Sequence, residues 1–275
     1  MGAKALFLDL DGTLLNDKKQ VTPDNRRAME KALSEGVRIF VTSGRPLKSA
    51  LLQAKTIGLD GPGCYVIAYN GGIIYDCTAK TELFQKTLDF ADLYAIFDEA
   101  DRRGVYIQTY DREDVVVERH NDSAIARRYC EAIHMEFRVI DSVRQLPAPP
   151  PKALLIDFNG REKTEQMRLW IEKHMGGRVD SFFSGPFYLE AVPAGINKGE
   201  ALREVCALLQ IPIAEAVAAG DEANDISMIE AAGIGVAMQN AAAQVKAAAD
   251  VITQRDNNHD AIAEVIDRFC TPFGF

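Results

Sequence analysis

The sequence is poor in histidine, in paired cysteine and in positive charge. Its four histidines, His120, His134, His174 and His259, are scattered, with no pair at a chelating spacing. A histidine-built zinc site is therefore not expected. The five cysteines, Cys64, Cys77, Cys130, Cys206 and Cys270, are odd in number and widely spaced, and no CxxC occurs. Such a pattern reads as free thiols in a reducing compartment rather than as a disulfide framework. Lys and Arg number 31 against 40 Asp and Glu, a formal net charge of −9. A general nucleic-acid or anionic-membrane binder presents a basic face, so neither partner is expected. No apolar run approaches the ~18 residues of a membrane-spanning helix. The run Lys4 to Leu10 is too short and too acidic at its end for a signal peptide. Leu6 stands where an N-myristoylation signal has Ser or Thr. A cytoplasmic location is the resulting expectation, and oligomeric state is not readable.

What is present is a folding chain of 275 residues, 47% hydrophobic and 26% charged. That length suggests about two domains at ~150 residues each. Lys4 to Leu10 reads as a strand buried on both faces. A helix over Pro23 to Glu35 follows, with Thr22 as N-cap and Gly36 as stop. Strands Val37 to Val41 and Tyr65 to Tyr69 flank a helix over Leu47 to Ile57. This alternation predicts a doubly wound parallel α/β sheet, Rossmann-like in class. From about residue 83 the texture changes to helices and hairpins. Helices are expected over Phe90 to Arg103, Asp122 to Ile133 and Arg161 to Met175, and Pro147 to Pro151 reads as a stiff connector. Parallel α/β texture returns with a helix from Gly199 and a strand over Ala216 to Ala219. The expected organisation is a core of residues 1–82 and 186–275 with a mixed α/β insert over 83–185.

Four loops at strand ends and one helix start carry candidate chemistry. Asp9 and Asp11, at i and i+2, project to one face at the end of a buried strand, where open α/β sheets place their ligands. Gly220 to Asp225 is a second acidic cluster, with Asp221 and Asp225, at the end of another strand. Carboxylates converging there need a counter-charge, and an oxygen-liganded divalent cation, Mg²⁺ above all, supplies it. Ser43-Gly44-Arg45 precedes a helix and forms either a phosphate-sized anion site or an ordinary turn. Lys198 is a cation at a helix start, where the dipole disfavours one. Asn70-Gly71-Gly72 closes the third strand, as a plain turn or as part of a site.

The ordered set of Asp9-Leu10-Asp11-Gly12-Thr13, Ser43, Lys198 and Gly220-Asp221-Glu222-Ala223-Asn224-Asp225 resembles the haloacid dehalogenase-like phosphohydrolases. The place of the insert, between Ser43 and Lys198, is similar to the branch with a large α/β cap, Cof-type. The resemblance implies a Mg²⁺-dependent phosphatase of small phosphorylated metabolites, sugar phosphates foremost. It implies Asp9 as nucleophile and Asp11 as general acid and base. Mg²⁺ would lie on Asp9, the Asp11 carbonyl and Asp221, supported by Asp225. Lys198 would add positive charge, and Ser43, Gly44 and Asn224 would bind phosphate. Arg45 and Asn70 are candidates for phosphate or leaving-group contact, and Thr42 competes with Ser43 for the hydroxyl role. A phosphomutase using the same intermediate and a non-catalytic phospholigand binder are the alternatives.

Overall fold

The computed structural model describes residues 2–121 and 123–270. The chain forms two compact units, one of 1–44, 50–84 and 197–275, the other of 45–49 and 85–196.

The first unit opens with β1 (Ala5–Asp9), α1 (Pro23–Ser34), β2 (Arg38–Thr42), α2 (Leu47–Ile57) and β3 (Cys64–Ala68). Two short strands follow, β4 (Ile73–Asp76) and β5 (Thr81–Gln85). The second unit holds α3 (Phe90–Arg103), β6 (Tyr106–Tyr110), β7 (Val115–Glu118), α4 (Ser123–Ile133) and β8 (Phe137–Ile140). It continues with β9 (Ala153–Ile156), α5 (Glu162–Met175), β10 (Val179–Phe183) and β11 (Tyr188–Pro193). The chain returns to the first unit with α6 (Lys198–Leu208), β12 (Ala216–Gly220), α7 (Ile226–Ala231), β13 (Ile234–Ala237), α8 (Ala243–Ala248), β14 (Val251–Ile252) and α9 (Ala261–Phe269). The expected helix start at Asp122 lies outside the described residues.

The first unit's sheet has the order β14-β13-β12-β1-β2-β3-β4-β5. Strands from β14 to β3 are parallel, and β4 turns back antiparallel on β3. β1 is apolar along its length because helices cover both of its faces, so its residues Ala5 to Leu8 are fully buried. On one face Phe7 stacks on Phe40 with ring centroids 4.3 Å apart, and Phe40 on Tyr65 at 4.7 Å. Leu202 and Val205 of α6 and Met228 of α7 pack over that aromatic row. Burial of a ring such as that of Phe7 contributes about 2–3 kcal/mol. α1 packs against α9. Parallel pairing brings the C-terminal ends of β1, β2, β3 and β12 to one edge, at Asp9, Thr42, Ala68 and Gly220.

The second unit is a sheet of order β10-β11-β9-β6-β7-β8, antiparallel except for β7 with β8. Its core joins Leu93, Ile96 and Phe97 of α3 and Met167 and Ile171 of α5 to Ile107, Leu155 and Leu189 of the strands. Inside this unit Lys152 Nζ donates to Glu190 Oε2 at 2.9 Å, both side chains almost fully buried. The expected return to the core at residue 186 needs correction. β11 pairs with β10 on one side and β9 on the other, so its residues are interior to the insert and the second unit runs to Ile196. All five cysteines are buried and free.

Candidate active site

The loop after β1 is built around Asp9. Gly12 turns the chain at φ +86°, and a Cβ there would overlap the carboxylate of Asp221. Only glycine serves at such a position, with both a left-handed backbone and a neighbouring side chain in contact. Thr13, fully buried, donates from Oγ1 to Asp221 Oδ1 at 2.7 Å. Asn240 Nδ2 donates to the Gly12 carbonyl at 2.7 Å and ties the loop down from the segment after β13.

Lys198 begins α6, whose N-cap Asn197 accepts from the Glu200 amide at 2.9 Å. Its ammonium donates to Asp9 Oδ1 and to Asp225 Oδ1, at 2.5 Å each. The lysine side chain is fully buried, which an unpaired cation could not tolerate. Asp225 is itself fixed, because its Oδ2 accepts from the amides of Asp221 (2.9 Å) and Glu222 (3.0 Å). Gly71, at φ +110°, lets the Asn70 loop approach the start of α6, where a Cβ would stand 2.6 Å from the Asn197 carbonyl. Asn70 occupies the left-handed region at φ 56° and accepts from Asn224 Nδ2 at 3.2 Å. Its amide lies against Gly44.

Asp9, Asp221 and Asp225 bring carboxylate oxygens within 4.8 Å of one another. Three carboxylates face one ammonium, so ionisation leaves an excess of two negative charges. The excess is visible in proton affinities. Burial, with repulsion from Asp225, pushes Asp9 up to about 8 despite the attraction of Lys198. Burial likewise raises Asp221 to about 6, against the pull of the Thr13 hydrogen bond. For Lys198 burial acts downward, but Asp225 and Asp9 together raise its pKa above the ordinary lysine value. An all-oxygen donor set with two surplus charges fits a hard divalent cation such as Mg²⁺.

Asp9, Lys198, Asp221, Asp225, Asn224, Asn70 and Gly44 thus form one connected group. Ser43 adjoins it, since the Asn70 amide donates to the Ser43 carbonyl at 3.0 Å. Thr42 Oγ1 points into the core and donates to Met228 Sδ at 3.4 Å. Arg45 opens the short stretch 45–49 that groups with the second unit instead. Asp11 is ion-paired to Lys19 at 2.7 Å. Sequence reasoning gave no role to Thr13, Lys19 or Asn240. Thr13 had a signal, its place directly after Asp11-Gly12, while Lys19 and Asn240 sit in loops without periodicity.

Comparison with known proteins bears on this arrangement. A family model of haloacid dehalogenase-like hydrolases matches residues 6–266. The phosphatase YwpJ of Bacillus subtilis is 29% identical, over 93% of this chain and 96% of that protein. The 5-amino-6-(5-phospho-D-ribitylamino)uracil phosphatase YcsE of the same organism is 29% identical, over 96% of this chain and 94% of its own. A crystal structure of a haloacid dehalogenase-like hydrolase from Bacteroides thetaiotaomicron superimposes with a TM-score of 0.88 at 31% identity, covering 97% of this chain and 99% of that one.

Proposed function

The chain belongs to the haloacid dehalogenase-like hydrolases and is a phosphatase of the branch with a large α/β cap, and from that membership we propose a Mg²⁺-dependent phosphomonoesterase working through an aspartyl-phosphate on Asp9. Its substrates are small phosphorylated metabolites, sugar phosphates foremost. YcsE, similar along nearly the whole chain, is named for a phosphoribityl compound, a phosphate on a polyol arm.

The observation that carries the reading is the buried ammonium of Lys198 shared between Asp9 and Asp225 at 2.5 Å. Lys198 holds Asp9 Oδ1 and leaves Oδ2 to attack phosphorus. The P–O ester bond breaks as the Asp9 Oδ2–P bond forms, and Asp11 gives its proton to the departing alkoxide. Asp11 then takes a proton from the water that attacks the aspartyl-phosphate, which frees Asp9 and inorganic phosphate. Ser43 and Asn224 donate hydrogen bonds to the transferring phosphoryl group, and Lys198 offsets its charge. Asn70 orients Asn224. Asp9, the Asp11 carbonyl and Asp221 would hold Mg²⁺, with Asp225 supporting, and the ion when bound supplies positive charge between an anionic nucleophile and an anionic substrate.

The test is phosphate release from a panel of phosphorylated metabolites with Mg²⁺ and with EDTA, on wild type and Asp9→Asn. Release is expected only from wild type with Mg²⁺. Retention by Asp9→Asn of more than about a tenth of the rate would remove Asp9 as nucleophile, because covalent catalysis has no substitute for it. Isomerised sugar phosphate accumulating ahead of free phosphate would identify a mutase instead.

A further inference from the structure

The second unit contains a cavity of about 500 Å³. All the residues lining it fall within 101–163, so its walls belong to the insert alone. Part of its polar wall comes from the last turn of α3 and from the loop between β7 and α4. There His120 Nε2 lies 2.8 Å from Asp101 Oδ1, and Glu118 Oε2 stands 3.7 Å from the same nitrogen. The three side chains bring one ligand atom each within 4.8 Å of one another. Asp101 and His120 line the cavity, whereas Glu118 is 6% exposed and does not.

A surface ion pair accounts for Asp101 and His120 but not for Glu118. A buried carboxylate needs partners for both of its oxygens. Glu118 Oε1 accepts from the Val143 amide at 2.6 Å, which fixes the group. Oε2 has no hydrogen bond among the described residues, and 3.7 Å to His120 is too long for one. Asn121, next to His120 and also on the cavity wall, shows the same shortfall. Its Nδ2 is shut off from solvent and has no hydrogen-bond partner among the described residues. A buried donor left so is costly, and it marks where the acceptor of a bound group would sit. Asp101 also stands in the C-terminal turn of α3, where the helix dipole favours a cation. One imidazole with two carboxylates is a donor set for a divalent transition ion, unlike the all-oxygen set of Asp9, Asp221 and Asp225. A tetrahedral ion with bonds of about 2.0–2.2 Å holds its ligand atoms about 3.4 Å apart. The separations of 2.8 and 3.7 Å lie on either side of that spacing.

We propose that Asp101, Glu118 and His120 form a metal site in the insert, one for a divalent transition ion such as Zn²⁺. The Val143 amide orients Glu118 toward the ion. Coordination is completed from the cavity by an oxygen ligand, to which Asn121 Nδ2 donates. The site uses one imidazole and takes its carboxylates from two different elements, so no spacing in the sequence announces it. It is independent of the reading of Asp9 as nucleophile.

Zinc titration of the whole chain tests it, in excess Mg²⁺ and with two readouts. Imidazole NMR signals locate the ion, because the chain has only four histidines. Calorimetry gives the affinity. Wild type is compared with Asp221→Asn, which disables the carboxylate cluster around Asp9, and with Asp221→Asn carrying His120→Ala or Glu118→Gln. Each protein is first checked for cooperative melting in EDTA. Zn²⁺ should move the His120 signal at lower concentration than those of His134, His174 and His259, in wild type and in Asp221→Asn alike. Adding His120→Ala should weaken zinc binding at least about 100-fold, and adding Glu118→Gln about tenfold. Glu118→Gln keeps an acceptor for the Val143 amide, so its loss would report the charge at Oε2 and not a collapsed loop. Three results would each overturn the proposal: a His120 signal that zinc leaves in place, four signals that move together, or an affinity that Glu118→Gln leaves unchanged. The last two would make Asp101 and His120 an exposed ion pair that collects adventitious metal.

Discussion

Asp9 is held under opposed electrostatic demands. As the proposed nucleophile it must be ionised to attack, yet burial and Asp225 raise its pKa to about 8, and burial raises Asp221 to about 6. In the unfolded chain both titrate at the ordinary 3.8. Between those values the folded metal-free protein binds protons that the unfolded chain releases. The contribution of these two groups to stability is therefore largest below pH 3.8 and declines as pH rises, to about 6 for Asp221 and to about 8 for Asp9. Thermal melts in EDTA should show wild type losing stability from pH 5.5 to pH 8. Asp9→Asn should flatten that slope and melt higher near pH 8, by about 0.5–2 kcal/mol, as is common when a strained functional group is relieved. Saturating Mg²⁺ should restore wild type at the same pH. A pH slope identical in wild type and Asp9→Asn would show that Asp9 is not the group under strain. The candidate residues at this scale were legible in the sequence where a motif followed an apolar strand, as at Asp9, Asp11, Asp221 and Asp225, or opened a helix, as at Lys198. Lys19 and Asn240 were not, because their partners are eight and 228 residues away along the chain and no local pattern encodes them.

At the scale of elements, the strands buried on both faces could be read directly, since β1, β2, β3 and β12 are short apolar runs that stop at polar loops. β5 and β8 could not, because Thr81–Gln85 and Phe137–Ile140 are short, half-exposed segments without a clear apolar-polar alternation. The expected boundary at residue 186 put the segment of β11 on the core side, whereas it lies inside the insert. Pairing with β9 and β10 is a property of the sheet that no hydrophobic pattern states. That strand also bears Glu190, the partner of Lys152, and the pair gives the insert a vulnerable point. Removing one member leaves the other charge buried without its ion pair. Lys152→Met should cost about 3–5 kcal/mol in urea denaturation, and adding Glu190→Leu should recover most of it. Equal stability of the single and double variants would show that the lone carboxylate finds another partner.

Across the whole molecule, the site is collected from positions between 9 and 225, with the entire insert intervening. The class of fold could still be read from alternating strands and helices, because every parallel strand ends on the same edge and that edge must gather its loops. The framework that braces those loops, Asn240, Asn257 and Asn258, came from irregular segments whose hydrogen bonds exist only after folding.

The five cysteines, buried in elements of both units, make the chain a recorder of its own breathing. Burial raises each thiol above its ordinary pKa, so closed conformations resist alkylation twice over, by shielding and by protonation. Modification then counts openings. Pulse alkylation with mass readout should leave native protein unlabelled over minutes and, in rising urea, separate Cys130 of the insert from Cys64, Cys77, Cys206 and Cys270 if the two units open at different denaturant concentrations. Labelling of all five in one step would mean instead that insert and host unfold as a single cooperative body.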